Sequence, residues 1–259
     1  FQLMPPFLSG EEVPGVTARL ADALKFSGII SLIYGAFCFL LPNTPPKADA
    51  VENLAFKKAF NLFSNKSFLV LVLASLGVSI IHQIYFLQTG PFLSSIGIKD
   101  SSIGPAMTIG QFAEIATMAY LGFFLKRLGF KKVITIGIFA YFARYMIFGT
   151  SFLPTWVMVM SQAFHGFCFA FFFAAGFIYV DKLADDDVRH SAQTVFGIII
   201  FGGGPVVGGW LSGYLQNIYT LDGVFNYSSF WYTLAGIGLV VTLLFYSSFN
   251  STLSKETAS

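Results

Sequence analysis

Seven uninterrupted apolar runs, near residues 22–42, 67–90, 102–125, 132–151, 153–180, 190–217 and 228–249, constrain this chain more than any other feature. Each has the roughly 20 residues that a helix rising about 1.5 Å per residue needs to cross a hydrocarbon core about 30 Å thick. The runs are continuous and lack the alternation over about ten residues that marks a barrel strand, so helices are expected rather than strands. Composition agrees. Of 259 residues, 55% are hydrophobic and 11% charged, with a mean hydropathy of +0.71, whereas a soluble domain averages about 25% charged. A water-soluble fold of this size cannot hide so much apolar surface. The sequence predicts an all-α membrane protein with seven transmembrane helices.

The polar connections fall into two kinds. One kind, together with the tail, holds Lys47, Lys57, Lys58, Lys66, Lys126, Arg127, Lys131, Lys132, Lys182, Arg189 and Lys255. The other holds Arg19 and Lys99, with Lys25 at a helix start. Cytoplasmic loops carry the excess of Lys and Arg. The chain is therefore expected to start outside, cross the cytoplasmic membrane seven times and end in the cytoplasm. The longest connection, LPNTPPKADAVENLAFKKAFNLFSNKS, separates one apolar run from a block of six, and a connection of that length often marks a boundary. Three parts follow: an external loop and one helix over 1–43, a cytoplasmic central loop over 44–66, and a six-helix bundle with a cytoplasmic tail over 67–259. Within the loop, Leu54, Phe56, Phe60 and Phe63 share one helical face, which predicts a short interfacial helix. The chain begins at Phe1, in polar, loop-like sequence, and is expected to be a piece of a longer protein.

Several function classes are disfavoured. The net charge of +2 and the lack of a basic cluster interleaved with aromatics argue against a nucleic-acid partner. Cys38 and Cys168 sit inside apolar runs and carry no disulfide signal. FGGGPVVGGWLSG (201–213) lacks the Lys-Ser/Thr ending of a phosphate loop. Its pairs Gly204/Gly208 and Gly209/Gly213 read instead as close helix packing, with a kink at Pro205. DKLADDDVRHSAQ (181–193) lacks the spacing of a calcium loop and reads as a solvated cytoplasmic turn. No nucleophile–base pair or metal-ligand spacing occurs at membrane depth, so neither an enzyme nor a metal or cofactor site is expected.

What stands out at that depth is a small set of ionisable side chains. Glu114 is the sole acidic residue there, about halfway across its helix. Arg144 lies at comparable depth in the next run, and His82 and His165 are the deep histidines. A charge at the bilayer centre costs at least about 2.5–3.5 kcal/mol, so such residues normally face a cavity or a partner. One alternative is a structural Glu114–Arg144 pair that fixes helix packing. The neighbours favour a pocket: Gln111 and Thr108 share the face of Glu114, while Ser79, His82, Gln83 and Phe86 share another, with Gln88 further out. In the fifth run Gln162, His165, Phe169 and Phe172 line up at helical spacing. Polar faces meeting aromatic ones describe a wet cavity with amides, one carboxylate and rings for stacking. Core packing is the alternative for any single Phe among the 32 in the chain.

Short motifs then add a resemblance. GFFLKRLGFKKV (122–133) resembles a degenerate copy of the loop motif of the major facilitator superfamily, and the long basic connection resembles the central loop of that twelve-helix fold. On this likeness the first run is helix six, the others are helices seven to twelve, and the first five helices are missing. Within the superfamily the chain resembles the nucleoside:proton symporters. The likeness is carried by GQFAEIATM (110–118), HGFCFAFFFAAGFIYVDK (165–182) with VRHSAQ (188–193), HQIYFLQTGPFL (82–93) and ARYMIFG (143–149). It implies a proton-coupled transporter of nucleosides, with Gln83, Gln111, Glu114, His165 and Phe169 at the substrate and Glu114, Arg144 and His165 in proton coupling. Its partners would be the nucleoside, protons, the lipid bilayer and the missing N-terminal helices. The chain departs from the family pattern in having Phe86 where an amide is expected, His165 for a Tyr, and Ala170 at an acidic position. A proton-coupled sugar permease of the same superfamily and a non-transporting membrane module are the rival readings.

Overall fold

The computed structural model describes residues 16–43, 60–185 and 188–251, most of them helical. Helix α1 (Val16–Cys38) is 23 residues long and belongs to one compact unit. The remaining helices belong to a second unit: α2 (Lys66–Ser95), the stretch Asp100–Gly149, then Thr155–Leu183, Arg189–Tyr219 and Tyr227–Ser248. All five of these are long and apolar enough to cross a membrane. Each of the seven predicted runs overlaps one of these helical stretches over most of its length. The tail beyond 251, the segment 44–59 of the expected central loop, and with it most of the expected interfacial helix, lie outside the described residues. Of that helix only its end is described, where Leu62–Ser64 form a single 3-10 turn and the rings of Phe60 and Phe63 stack 5.7 Å apart.

Asp100–Gly149 holds two of the predicted runs because the backbone breaks once, at Gly129, with φ 76° and ψ 165°. A side chain at that φ would be strained, and glycine is not. We number the two halves α3 (100–128) and α4 (130–149). The expected basic loop thus shrinks to a one-residue turn, and Lys126, Arg127, Lys131 and Lys132 sit on helix ends flanking it. The later spans are α5 (Thr155–Leu183), α6 (Arg189–Tyr219) and α7 (Tyr227–Ser248).

Helices α5 and α6 are not regular. Cys168–Ala174 in α5 and Ile199–Gly203 in α6 are wider, π-helical turns, a feature that often accompanies functional sites. In α6 the cause is legible. Pro205 has no N–H to donate backwards, and the carbonyl of Ile200, five residues earlier, instead accepts the hydroxyl of Ser79 from α2. A Cβ at Gly204 would strike that same serine. Gly204 and Gly208 therefore bring α6 onto α2 as the sequence suggests, whereas a Cβ at Gly209 or Gly213 would meet nothing within 4 Å among the described residues. Ser79→Ala is expected to leave the Ile200 carbonyl without a donor and to cost about 1–3 kcal/mol, measurable as a lower thermal midpoint in detergent. An unchanged midpoint would show that the hydroxyl is not what holds the proline turn.

Toward the end of the bundle formed by the C-terminus of α4 and the start of α7, aromatic rings fill the core. Trp231 packs against Phe92, Phe148 and Tyr145 at centroid distances of 5.5, 5.0 and 5.4 Å. The Tyr145 hydroxyl donates to the carbonyl of Ile81 at 2.8 Å. Near the middle, α5 touches α3 at Gly166, where a Cβ would lie 2.8 Å from the backbone nitrogen of Glu114. That close approach sets His165 beside Glu114.

Candidate functional site

A cavity of about 290 Å³ opens among four helices of the bundle, at the lower end of the range for small-molecule sites. Helix α2 contributes Ser79, His82, Gln83 and Phe86, and α3 contributes Gln111 and Glu114. From α5 come His165, Phe169 and Phe173, and from α6 come Ile200, Phe201 and Pro205. The five residues expected at a substrate, Gln83, Gln111, Glu114, His165 and Phe169, thus lie on one wall-to-wall surface.

Four expectations about faces need correction. Phe172 is 1% exposed and points into the core, and Phe173 takes its place on the cavity. The reason is the π turn: a wider turn needs more than the 3.6 residues of an α-helix to return to the same face, so 165, 169 and 173 align. Thr108 turns its hydroxyl back to the Gly104 carbonyl, at 2.9 Å, and does not reach the cavity. Gln88 is buried elsewhere and ties α2 to α6 by donating to Ser212 Oγ at 3.0 Å and Gln216 Oε1 at 3.3 Å. Gln162 is buried too, and accepts the Tyr85 hydroxyl at 2.7 Å.

Arg144 is also off the cavity. It is fully buried, with its guanidinium 3.8 Å from the centroid of the Tyr85 ring and 5.4 and 5.2 Å from those of Tyr141 and Tyr145. Among the described residues no carboxylate lies within ion-pairing distance of it. Three electron-rich ring faces stand in for one, each worth up to about 2 kcal/mol when water is excluded. The Glu114–Arg144 pair weighed from the sequence is therefore not formed directly, because His165 stands between the two. Arg144 Nη1 lies 3.3 Å from His165 Nδ1. A guanidinium can only donate, so Nδ1 accepts and the imidazole carries its proton on Nε2. That nitrogen is 3.6 Å from Glu114 Oε2, slightly longer than a hydrogen bond. His165 is 2% exposed and Glu114 23%. The result is a three-membered chain running from a buried cation, through a neutral imidazole, to a carboxylate on the cavity wall.

The second wall histidine, His82, was read in the sequence as part of the polar face with Ser79, Gln83 and Phe86 but was not among the five residues expected at the substrate. Its ring stacks on His165, with centroids 5.6 Å apart and planes 14° apart, and its Nδ1 lies 2.8 Å from the Tyr141 hydroxyl. The face it shares with Gln83 does line the cavity. Ile200, Phe201 and Pro205 had no such signal, because α6 carries no polar side chain between Thr194 and Ser212. Away from the cavity, the turn after α5 is tied by Asp181, which accepts from Gln193 Nε2 at 2.9 Å and through its carbonyl from Arg189 Nε at 3.1 Å. Among the described residues no group of His, Cys, Asp or Glu is arranged to hold a metal ion.

Comparison with known proteins now bears on this geometry. Residues 18–253 match the family model described as nucleoside H+ symporter. The chain belongs to the nucleoside H+ symporter family. The resemblance carried by the short motifs was to this same family. The nucleoside permease NupG of Escherichia coli strain K12 is 30% identical over 262 residues, covering 93% of this chain and 60% of the permease. The xanthosine permease of the same organism is 29% identical over 239 residues, covering 85% of this chain and 56% of that protein. The crystal structure of the nucleoside transporter NupG (D323A mutant) superposes with a TM-score of 0.73 at 29% identity, over 86% of this chain and 59% of that one. This family member thus spans between 56% and 60% of the length of these relatives.

Proposed function

We propose that this chain forms one wall of the substrate site in a proton-coupled nucleoside transporter of the cytoplasmic membrane. It would correspond to helix six and the C-terminal six-helix half of a twelve-helix transporter, with its C-terminus in the cytoplasm. The observation that carries the reading is the convergence of Gln83, Gln111, Glu114, His165 and Phe169 on one cavity of about 290 Å³, in a family whose members are nucleoside H+ symporters. The two amides and the carboxylate suit ribose hydroxyls, which both donate and accept. Phe169, with Phe86 and Phe173 nearby, offers ring faces for the base.

Proton coupling follows from the charge on the three-membered chain. With Glu114 ionised, the guanidinium of Arg144 and the carboxylate balance across His165. With Glu114 protonated, the wall carries a net positive charge facing a low-dielectric space, a different electrostatic state for each stage of transport. Arg144 acts in this scheme through His165 rather than on the substrate. Transporters of this kind place the site between two repeated halves, so the opposite wall would come from the other half.

A substrate panel tests the reading. Cells carrying the full-length gene product should take up uridine and adenosine but not lactose, and a protonophore should abolish accumulation. Uptake of lactose in place of nucleosides would favour a sugar permease built on the same fold, and uptake insensitive to the protonophore would remove the proton from the mechanism.

A further inference from the structure

We propose that His82 is a fixed, neutral N–H donor that selects nucleosides whose base presents an oxo group to it, and that Tyr141 is the positioning residue that holds it in that state. The inference rests on the nucleoside reading above and names which bases the site prefers. His82 lines the cavity beside Gln83 and Phe86. Its ring is gripped on several sides, with centroids 5.0 Å from Phe86, 4.9 Å from Phe173, 5.6 Å from His165 and 5.8 Å from Tyr141. An imidazole so enclosed does not turn over freely.

The tautomer follows from the back of the ring. Tyr141 is fully buried, and among the described residues its hydroxyl has His82 Nδ1, at 2.8 Å, as its one hydrogen-bond partner. A buried phenol proton left without an acceptor is costly, so Tyr141 donates, Nδ1 accepts, and the histidine proton resides on Nε2. That nitrogen is the one Tyr141 leaves free, on a residue that lines the cavity. His165 is set the same way by Arg144. The cage of Arg144 and its tyrosines therefore presents both histidines as Nε2–H donors, although one is spoken for by Glu114.

A neutral imidazole N–H donates and cannot accept. Ribose hydroxyls match either sense of hydrogen bond and do not discriminate. A base edge does. Beside Phe86 and Phe173, where a base would stack, an oxo oxygen completes the His82 bond, whereas an amino group would set two donors against each other in a space with little water. Sites built around one hydrogen bond reject the analogue that cannot make it far more strongly than sites built on shape alone.

The test uses the full-length gene product in lipid nanodiscs and the pairs uridine with cytidine and inosine with adenosine, each differing by oxo against amino. Wild-type protein should bind the oxo member of each pair about tenfold or more tightly. His82→Gln supplies an amide that can donate to an oxo group or accept from an amino group, and should bind uridine and inosine well while narrowing the preference within each pair. His82→Phe keeps the ring but no donor, and should lower binding of uridine and inosine about tenfold more than that of cytidine and adenosine. Nitrogen-15 resonances of His82 should report the Nε2–H tautomer in wild type and a mixture in Tyr141→Phe, whose oxo preference should fall in parallel. Equal binding of the members of each pair, an equal loss across all four in His82→Phe, or an Nδ1–H tautomer would overturn the selectivity while leaving a nucleoside transporter. Failure of all four to bind would overturn the nucleoside reading and the selectivity built on it.

Discussion

Glu114→Gln is expected to abolish uphill accumulation of nucleoside while leaving downhill exchange of nucleoside across the membrane measurable. The substitution keeps the size of the side chain and an oxygen that can accept from His165 Nε2, at present 3.6 Å from the carboxylate. What it removes is the change of charge. The amide is neutral at every stage, so the imbalance between Arg144 and the cavity wall becomes permanent and no longer follows the proton. Without coupling, an uncharged nucleoside equilibrates across the membrane, so the accumulation ratio should fall to about one whatever gradient is applied. Parallel assays of accumulation and counterflow in proteoliposomes made from the full-length gene product separate the two. Intact accumulation in the variant would show that the coupling carboxylate is elsewhere.

Gly166→Ala should have the largest effect on folding. A Cβ at that position would sit 2.8 Å from the backbone nitrogen of Glu114, and the neighbouring backbone at Ala113 is closer still. Backbone cannot swing aside as a side chain does, so α5 and α3 must separate. Overpacking of this kind costs about 1–3 kcal/mol, with backbone collisions at the upper end. The same separation would draw His165 away from Glu114, so surviving protein should also be weakly coupled. Gly122→Ala is the matched control, because a Cβ there meets nothing within 4 Å among the described residues and alanine favours a helix over glycine by about 1 kcal/mol. Thermal unfolding in detergent should show a marked drop for the first variant and no drop for the second. Equal midpoints would mean that the α3–α5 approach is looser than described.

The spans were legible because the length and continuity of an apolar run report directly on the medium around it. The break at Gly129 was legible only as a polar loop, since a basic stretch does not reveal that its residues are helical on both sides of a single glycine. The α2 face of Ser79, His82, Gln83 and Phe86 and the α3 pair Gln111 and Glu114 could be read from helical spacing, and all six line the cavity. Spacing failed in α5, where the π turn moves Phe173 onto the face that a regular helix would give to Phe172. It could not find Ile200, Phe201 and Pro205, which belong to the cavity through the packing of α6 on α2. Nor could it show that Arg144 is balanced by the rings of Tyr85, Tyr141 and Tyr145 with His165 between it and Glu114, because that arrangement joins four helices and leaves no periodic mark on any one of them.

The most direct measurement is electrical. Proteoliposomes containing the full-length gene product, adsorbed on a sensor membrane and challenged with uridine, an uncharged molecule, should show a transient inward movement of positive charge that grows with an inward proton gradient and is absent from Glu114→Gln. Uridine entering without charge movement, or a current undiminished in Glu114→Gln, would contradict proton-coupled transport through this cavity.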